Sequence, residues 1–140
     1  MATFNKFDQF IEDVFTGVHN LIGTTDTVNI YLSNTAPNAA THAVKADLAE
    51  ISTGNGYTGP QDTQNSGSQT SGTVTVTGVD VVITASGGTV GPFQYVVLYN
   101  DTPTTPADPL IGWWDYGAAV TLNSGESFTT DFGASMFTAS

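Results

Sequence analysis

Carboxylates are the residues of this chain whose chemistry is worth weighing first, because two paired acids suffice for glycoside hydrolysis. Asp101, Asp108 and Asp115 lie in or beside one polar segment, and Asp131 follows further along the chain. Glycosidase acids are usually supported by Arg, His or Tyr, whereas the chain has no Arg and no His near these positions. Oxygen ligands in a loop also suit Ca²⁺, but the Asp101–Asp108 spacing matches no EF-hand. We therefore expect neither a catalytic pair nor a metal site.

Two other patterns suggest chemistry that their surroundings do not support. The run GNGYTG, residues 54–59, matches the dinucleotide-binding pattern, which requires a preceding buried strand and a following helix. Here Pro60 and a polar stretch follow instead. His19 and His42 show no metal-ligand spacing, and no nucleophile elbow or cysteine is present. The sequence predicts that the protein is not an enzyme and needs no cofactor.

The charge of the chain restricts its partners. The net charge is −11, and the cations are Lys6 and Lys45 alone. Binding to nucleic acid or to an anionic membrane surface depends on Lys and Arg, so neither is expected as a partner. No apolar run approaches the roughly 20 residues of a membrane-spanning helix. We expect partners that are neutral or basic.

Apolar residues spaced by three and four predict one short amphipathic helix in the segment 1–23. The residues of this stripe are Phe4, Phe7, Ile11, Val14, Phe15 and Val18. Such a stripe either covers the core of its own domain or docks on a neighbouring subunit. On the second alternative, Phe4, Phe7 and Phe10 are candidate interface residues.

The rest of the chain is expected to be a β-sandwich within a single domain, 1–140. Short alternating runs separated by turn signals over residues 24–140 favour a mainly β, jelly-roll-like sandwich. Long loops are predicted at 35–72 and 100–109, the first because much of it lacks apolar residues. Residues 119–123 and 127–133 are predicted to form a hairpin, followed by a last edge strand.

Two aromatic runs, residues 93–100 and 110–116, are predicted to pair as strands of a sheet covered on both faces. Trp113 and Trp114 are adjacent, so on a strand they point to opposite faces. One of them is expected to fill the core, while the other covers a helix or loop or meets a partner. The sequence does not decide which, and both are candidate interface residues.

The segment between these two strands is interpreted as a stiff, extended connector. Pro103 and Pro106 fix their own φ angles and bias the preceding residues toward extended backbone. A stiff loop without an organised set of donors and acceptors suits contact more than catalysis. Asn100, Pro103 and Pro106 are therefore candidate interface residues.

The runs GPFQYVVLYNDTPTTPADPLIGWWDYG and VTLNSGESFTTDF are similar to those of small virion proteins of tailed bacteriophages. The runs FNKFDQFIEDV, GVHNL and LSNTAPNAATHAVKADLAEISTGNGYT extend the resemblance over nearly the whole chain. The family is that of capsid cement, or decoration, proteins, such as those on the capsid of a Bordetella phage. The resemblance implies a jelly-roll-like fold and no catalytic residues.

The same resemblance implies a place and a set of partners. It implies a protein that is made in the host cytoplasm and then binds the exterior of the capsid. Its expected partners are the major capsid protein and further copies of itself, as a homodimer or homotrimer. Two alternatives stay open. A tail or head-fibre component predicts a repeated shaft sequence, and a carbohydrate-binding module predicts a sugar stacked on Trp113 or Trp114.

Overall fold

The computed structural model describes residues 2–140, which form a mainly β fold with one α-helix. The strands are β1 (Phe4–Lys6), β2 (Val28–Ser33), β3 (Gln61–Asp62), β4 (Ser66–Thr70), β5 (Thr73–Thr77), β6 (Val81–Thr84), β7 (Val90–Asn100), β8 (Leu110–Leu122), β9 (Ser127–Thr130) and β10 (Phe137–Ala139). The helix α1 spans Asp8–Phe15, and a 3-10 helix spans Lys45–Asp47.

A central antiparallel sheet of five strands organises the fold, in the order β1-β8-β7-β2-β3. Its two longest strands, β7 and β8, pair through Val96 and Trp114, which confirms the predicted pairing of the two aromatic runs. On the other side, β7 pairs with β2, where Leu98 lies opposite Ile30. These strands carry apolar residues on both faces because both faces of the sheet are covered.

One face of the central sheet packs against two smaller antiparallel sheets, β10-β5-β4 and β6-β9. The resulting core joins Ile30, Leu98 and Trp114 of the central sheet to Val76 and Ile83 of the smaller sheets. This layered arrangement agrees with the predicted β-sandwich. The jelly-roll-like order of the strands stays a prediction.

The opposite face of the central sheet carries a second, smaller core. Its fully or nearly fully buried members are Phe7, Tyr31, Leu48, Val97, Tyr99 and Leu110. The Tyr31 hydroxyl donates a hydrogen bond of 2.9 Å to the carbonyl oxygen of Leu48, which fixes the segment that covers this face. Lys45 lies 4.8 Å above the Tyr31 ring and pairs with Glu50 at 3.0 Å, so this cation stabilises the same cover.

The helix predicted in the segment 1–23 exists, but it is shorter than the apolar stripe suggested. Residue 1 lies outside the described residues, and Phe4–Lys6 form strand β1 on the free edge of β8. Gly112 permits this pairing, because a side chain there would overlap the Phe4 ring. Backbone pairing with β8 therefore replaces the first helical turn. Among residues 2–140, no helix is both long and apolar enough to span a membrane.

Most of the predicted long loop at 35–72 is irregular, but short regular elements interrupt it. It contains the 3-10 helix Lys45–Asp47, strand β3 and strand β4. Strand β4 could not be predicted from an alternation of apolar residues, because all of its residues are polar or Gly. It forms through backbone hydrogen bonds to β5. The loop predicted at 100–109 does separate β7 from β8, but it is not extended. A bridge between Thr104 and Ala107 turns it back on itself.

The hairpin predicted between residues 119–123 and 127–133 is also wrong. Strand β8 continues along β7 as far as Leu122, and β9 pairs with β6 instead, with Phe128 opposite Ile83. The Phe128 ring packs against Phe93, which lies in the core, with the two ring centroids 4.9 Å apart. Burial of this ring favours the long-range pairing over the local one. The last edge strand is confirmed, because β10 lies at the edge of its sheet.

Candidate functional site

An apolar groove of about 390 Å³ lies between α1, the segment 19–22 and the sheet β10-β5-β4. We call it the α1 groove. Its apolar lining residues are Phe10, Ile11, Val14, Phe15, Leu21, Ile22, Val74, Val76, Phe137 and Ala139. This volume lies within the range of pockets that bind ligands, about 300–1,000 Å³. The α1 groove is therefore large enough to receive side chains of a partner.

The floor of the α1 groove is one face of two paired strands. Val76 lies opposite Phe137, and Val74 lies opposite Ala139, so four apolar side chains share this face. Phe137 is buried and stacks on Phe4 with ring centroids 5.1 Å apart. Val74 is half-buried and Ala139 is exposed. The floor is thus rigid at one end and open to solvent at the other.

Helix α1 forms the first wall and leaves much of its apolar surface uncovered. Phe10 turns inward, is only 3% exposed and meets Phe137 edge to face at 5.8 Å. Ile11 and Val14 are 41% and 43% exposed, and Phe15 is 85% exposed. Isolated apolar residues on a surface are ordinary, whereas a contiguous exposed group that lines a groove indicates an interaction site.

The second wall, segment 19–22, is held by a backbone contact with β4. Gly23 and Gly67 exchange two hydrogen bonds, of 2.7 and 2.9 Å. A Cβ atom on Gly67 would overlap the carbonyl oxygen of Leu21, so only glycine allows this close approach. On this wall Leu21 is buried, while Ile22 is 49% exposed and faces the groove.

A polar network under the same wall connects it to the central sheet. The Asn100 side-chain amide donates to Asp26 Oδ2 at 2.7 Å and to His19 Nδ1 at 3.0 Å. Asp26 Oδ2 also accepts the backbone N–H of Asn20 at 2.8 Å. Because an amide nitrogen can only donate, His19 Nδ1 accepts and the ring is neutral. The network therefore fixes the position of His19 and favours the neutral form of its ring.

Burial lowers the pKa of His19 below its usual value of 6.5, and the negative charges of Asp13 and Asp26 partly offset this effect. The ring lies edge to face against Phe10 at 5.0 Å, so it contacts the helical wall as well. His19 Nε2 and Asp13 Oδ2 are both buried and have no hydrogen-bond partner among the described residues. His19 thus bridges the two walls of the α1 groove.

Helix α1 also carries acidic residues, which lie outside the lining of the groove. Asp8 and Glu12 are exposed on α1, and Asp13 is buried on the same helix, where Gln9 donates to its Oδ1 at 3.1 Å. No Lys or Arg is among the residues that line the groove. The lining of the groove is therefore mainly apolar and holds no Asp or Glu either.

Of the sequence-predicted aromatic candidates, the structure places three in the core. Phe7 and Trp114 are 0% exposed and Phe10 is 3% exposed, which agrees with the alternative that the helical stripe covers the chain's own core and with the expectation that one tryptophan fills it. They are buried because both faces of the central sheet and the inner side of α1 are covered within the chain. Phe4 is half-buried, and Trp113 is half-buried against Phe7, with ring centroids 4.6 Å apart.

The candidates of the proline-rich connector are not brought to the groove. Asn100 is 0% exposed, since its side chain belongs to the network of Asp26 and His19, and its predicted interface role is corrected. Pro103 and Pro106 are half-buried in the connector itself. Their role as contact residues stays a prediction.

Sequence reasoning missed the residues that form the open part of the groove. Ile11, Val14 and Phe15 belong to the predicted apolar stripe, but they were not among its candidate interface residues. A signal was present, because the apolar residues from Phe7 to Val18 occupy a wider arc of the helix than one core contact covers. The floor of the groove could not be predicted from the sequence, since it depends on the pairing of β5 with β10, which are separated by about sixty residues along the chain.

The carboxylates that first suggested chemistry serve local structure. Asp115 accepts hydrogen bonds from Gln94 and from the backbone N–H of Gly117, and these hold its pKa below the usual value. Burial, and then the charge of Asp101, raises the pKa of Asp108. Within the described part of the chain, no three His, Cys, Asp or Glu side chains are grouped as metal ligands.

The remaining two motifs are also placed in turns. Gly54 and Tyr57 of the GNGYTG run exchange backbone hydrogen bonds of 2.7 and 3.0 Å, which closes a tight turn. Buried Tyr57 donates to Glu50 at 2.6 Å, so the run anchors a loop. His42 Nδ1 accepts the backbone N–H of Asn38 at 3.0 Å.

The chain matches no family model, and no curated protein or solved structure matches it. The α1 groove, the charge of the chain and the sequence resemblance are therefore the observations on which a functional proposal depends.

Proposed function

We propose that this protein is a structural component of a virion, which binds the outer surface of a phage capsid and cements neighbouring capsomers. The sequence resemblance to capsid cement proteins supports the proposal over nearly the whole chain. The observation that carries it is the α1 groove, where Phe15 is 85% exposed beside Ile11, Val14 and Ile22. A partner that covers these side chains gains roughly 25 cal/mol for each Å² of apolar surface removed from water.

The charge of the chain favours the outside of a capsid over the inside. With a net charge of −11, the protein is repelled by packaged DNA and by anionic surfaces. On the exterior, it would add contacts across seams between capsomers that internal pressure tends to open. Many copies on each particle would make modest individual contacts collectively strong.

The carbohydrate-binding alternative loses support from the positions of the two tryptophans. A stacking platform needs an open aromatic face, but Trp114 is fully buried and Trp113 packs against Phe7. The tail or head-fibre alternative would lead one to expect a repeated shaft sequence, and the chain shows no internal repeat. The cement proposal is therefore preferred to both.

Co-sedimentation of the purified protein with capsids that lack it tests the proposal. We expect saturable binding at a fixed ratio to the major capsid protein, together with greater resistance of the decorated capsids to heat. An unrelated acidic protein of similar size is the control for non-specific binding. Absence of saturable binding would refute the cement role and direct attention to tail components.

A further inference from the structure

We infer that Asn55 is a site of spontaneous deamidation, and that the folded protein restrains this reaction by holding the turn that contains Asn55. Of the Asn residues in the chain, Asn55 alone is followed by Gly, in the run GNGYTG. Asn is a thermolabile residue. Its side-chain amide can react with the backbone nitrogen that follows it, and a following Gly offers no side chain to obstruct the approach. This chemistry does not depend on the α1 groove or on the proposed virion role.

The reaction needs only water as a co-reactant. The backbone nitrogen of Gly56 loses its proton and attacks the side-chain amide carbon of Asn55. A C–N bond forms, the bond from this carbon to Nδ2 breaks, and ammonia leaves with the proton. Water then opens the resulting succinimide ring to aspartate or isoaspartate. Asn55 and Gly56 are both exposed, so water reaches the site.

The turn requires the two residues that react. Asn55 and Gly56 have φ angles of 54° and 103°, and the hairpin turn in which both central angles are positive favours Asn-Gly. A Cβ atom on Gly56 would overlap the carbonyl oxygen of Thr84, so a residue with an obstructing side chain does not fit at position 56. The fold therefore retains a reactive sequence, and its protection depends on geometry.

Two hydrogen bonds to the segment 86–89 hold Asn55. Asn55 Nδ2 donates to the carbonyl oxygen of Thr89 at 3.0 Å, which directs the amide toward this segment. The backbone N–H of Ser86 donates to the carbonyl oxygen of Asn55 at 2.8 Å, which fixes the peptide bond between Asn55 and Gly56. Ring closure must rotate both the amide and this peptide to bring the amide carbon onto the Gly56 nitrogen. The two hydrogen bonds therefore oppose the reaction.

Gly88 completes the hold on the Asn55 side chain. A Cβ atom on Gly88 would lie 2.6 to 2.8 Å from the amide atoms of Asn55, so the amide packs directly on this glycine. The φ angle of Gly88 is not positive, so an alanine there avoids the cost of the left-handed region. Such an alanine therefore acts on the fold mainly by displacing the Asn55 amide.

Deamidation would damage an anchor of the fold. Isoaspartate adds a carbon atom to the backbone, which disrupts the pairing of Gly54 with Tyr57. The buried Tyr57 hydroxyl donates to Glu50 at 2.6 Å and accepts the backbone N–H of Leu32 at 3.1 Å, so this residue ties the turn to the central sheet. Each event also adds a negative charge to a net charge of −11. The modified protein is therefore expected to be less stable and more acidic.

Peptide mapping by mass spectrometry tests the site. The protein is incubated at mildly alkaline pH, once folded and once unfolded in urea, and the deamidated fraction at each Asn is followed over time. We expect Asn55 to react fastest of all Asn residues in urea, and at least about tenfold more slowly in the folded protein, because two hydrogen bonds oppose ring closure. Equal rates at Asn55 in the two states would overturn the inference, as would the absence of deamidation in urea.

A variant of the contact residue tests the cause of the protection. Gly88→Ala should raise the rate at Asn55 in the folded protein by several-fold, because the new Cβ displaces the amide from Thr89. Ser86→Ala is the matched control, since Ser86 is exposed in the same segment and the variant keeps the backbone N–H that binds Asn55. In urea, the wild type and both variants should react at the same rate, because the residues next to Asn55 are unchanged.

The rate at Asn65 separates a local effect from general unfolding. Asn65 is followed by Ser and is only 5% exposed, so it reacts mainly when the fold opens. Gly88→Ala should change the rate at Asn55 and leave that at Asn65 as in the wild type. Equal acceleration at both positions, or equal folded-state rates at Asn55 in Gly88→Ala and Ser86→Ala, would overturn the assignment of the protection to this turn.

Discussion

At the residue scale, His19 shows how one buried side chain connects the two walls of the α1 groove. It accepts a hydrogen bond from Asn100 and packs against Phe10. A protonated ring would present a donor to the Asn100 amide, which can only donate. The arrangement is therefore compatible with a neutral His19 ring. The charges of Asp13 and Asp26 raise the pKa of His19, but they only partly offset the lowering of this pKa by burial.

This arrangement predicts a pH dependence of stability. Because the folded-state pKa of His19 lies below 6.5, the unfolded chain binds the proton more tightly. The contribution of neutral His19 is thus fully present above about pH 6.5 and is lost as the pH falls below it. Urea unfolding at pH 5 to 8 should show a smaller loss of stability on acidification for His19→Gln than for the wild type.

The pH range in which His19 no longer titrates provides the control for this measurement. Between pH 7 and 8 the wild type and His19→Gln should change in parallel, since the ring is neutral in both the folded and unfolded states. Parallel behaviour between pH 5 and 7 as well would contradict the assigned role of His19.

At the scale of elements, helix α1 and strand β4 depend on their neighbours more than on their own propensities. Helix α1 has only eight residues and no side-chain cap at its start, so packing of Phe10 against β10 must stabilise it. Strand β4 has polar residues around Gly67 and is held by its pairing with β5 and by the contact of Gly67 with segment 19–23.

The close approach of Gly67 to Leu21 predicts that an added methyl group at position 67 lowers the stability of the fold. In Gly67→Ala the new Cβ overlaps the carbonyl oxygen of Leu21, so the wall of the groove must shift. Overpacking of this kind costs roughly 1–3 kcal/mol of unfolding free energy, which urea unfolding would detect. Ser68→Ala, at the next and exposed position of β4, should change stability by less than about 0.5 kcal/mol. Equal stabilities of the two variants would show that the wall does not depend on this contact.

At the scale of the whole molecule, the net charge of −11 lowers the stability of the compact folded state. Thirteen acidic residues face two cations, so long-range repulsion among carboxylates opposes the folded state more than the expanded one. The mainly β sandwich, with cores on both faces of its central sheet, offsets this repulsion by apolar burial.

Salt should therefore stabilise the protein at neutral pH. Between 0.01 and 0.1 M salt the screening length falls from about 30 to about 10 Å, which weakens repulsion across the molecule. We expect the unfolding temperature at pH 7 to rise over this range. Near pH 4, close to the sequence pI of about 4.1, the same change should have little effect. A salt-independent unfolding temperature at pH 7 would contradict this account.

Local pattern and composition were sufficient to predict the mainly β class and some strand pairings. Alternating β-formers predicted a mainly β fold, and the two aromatic runs predicted the pairing of β7 with β8. The strand at Phe4–Lys6, the partner of β9 and the existence of β4 were not predicted. Each depends on backbone pairing with a distant strand, which side-chain periodicity does not report.

Long-range packing, by contrast, determines which apolar residues are covered. Trp113 and Trp114 have identical side chains at adjacent positions, and only the packing of the smaller sheets buries Trp114 completely. The apolar stripe of α1 was visible in the sequence, but its division into buried Phe10 and exposed Phe15 was not. The groove itself arises where α1, segment 19–22 and β10 meet, and burial is a property of such long-range contacts, because it depends on what the rest of the chain places above each residue.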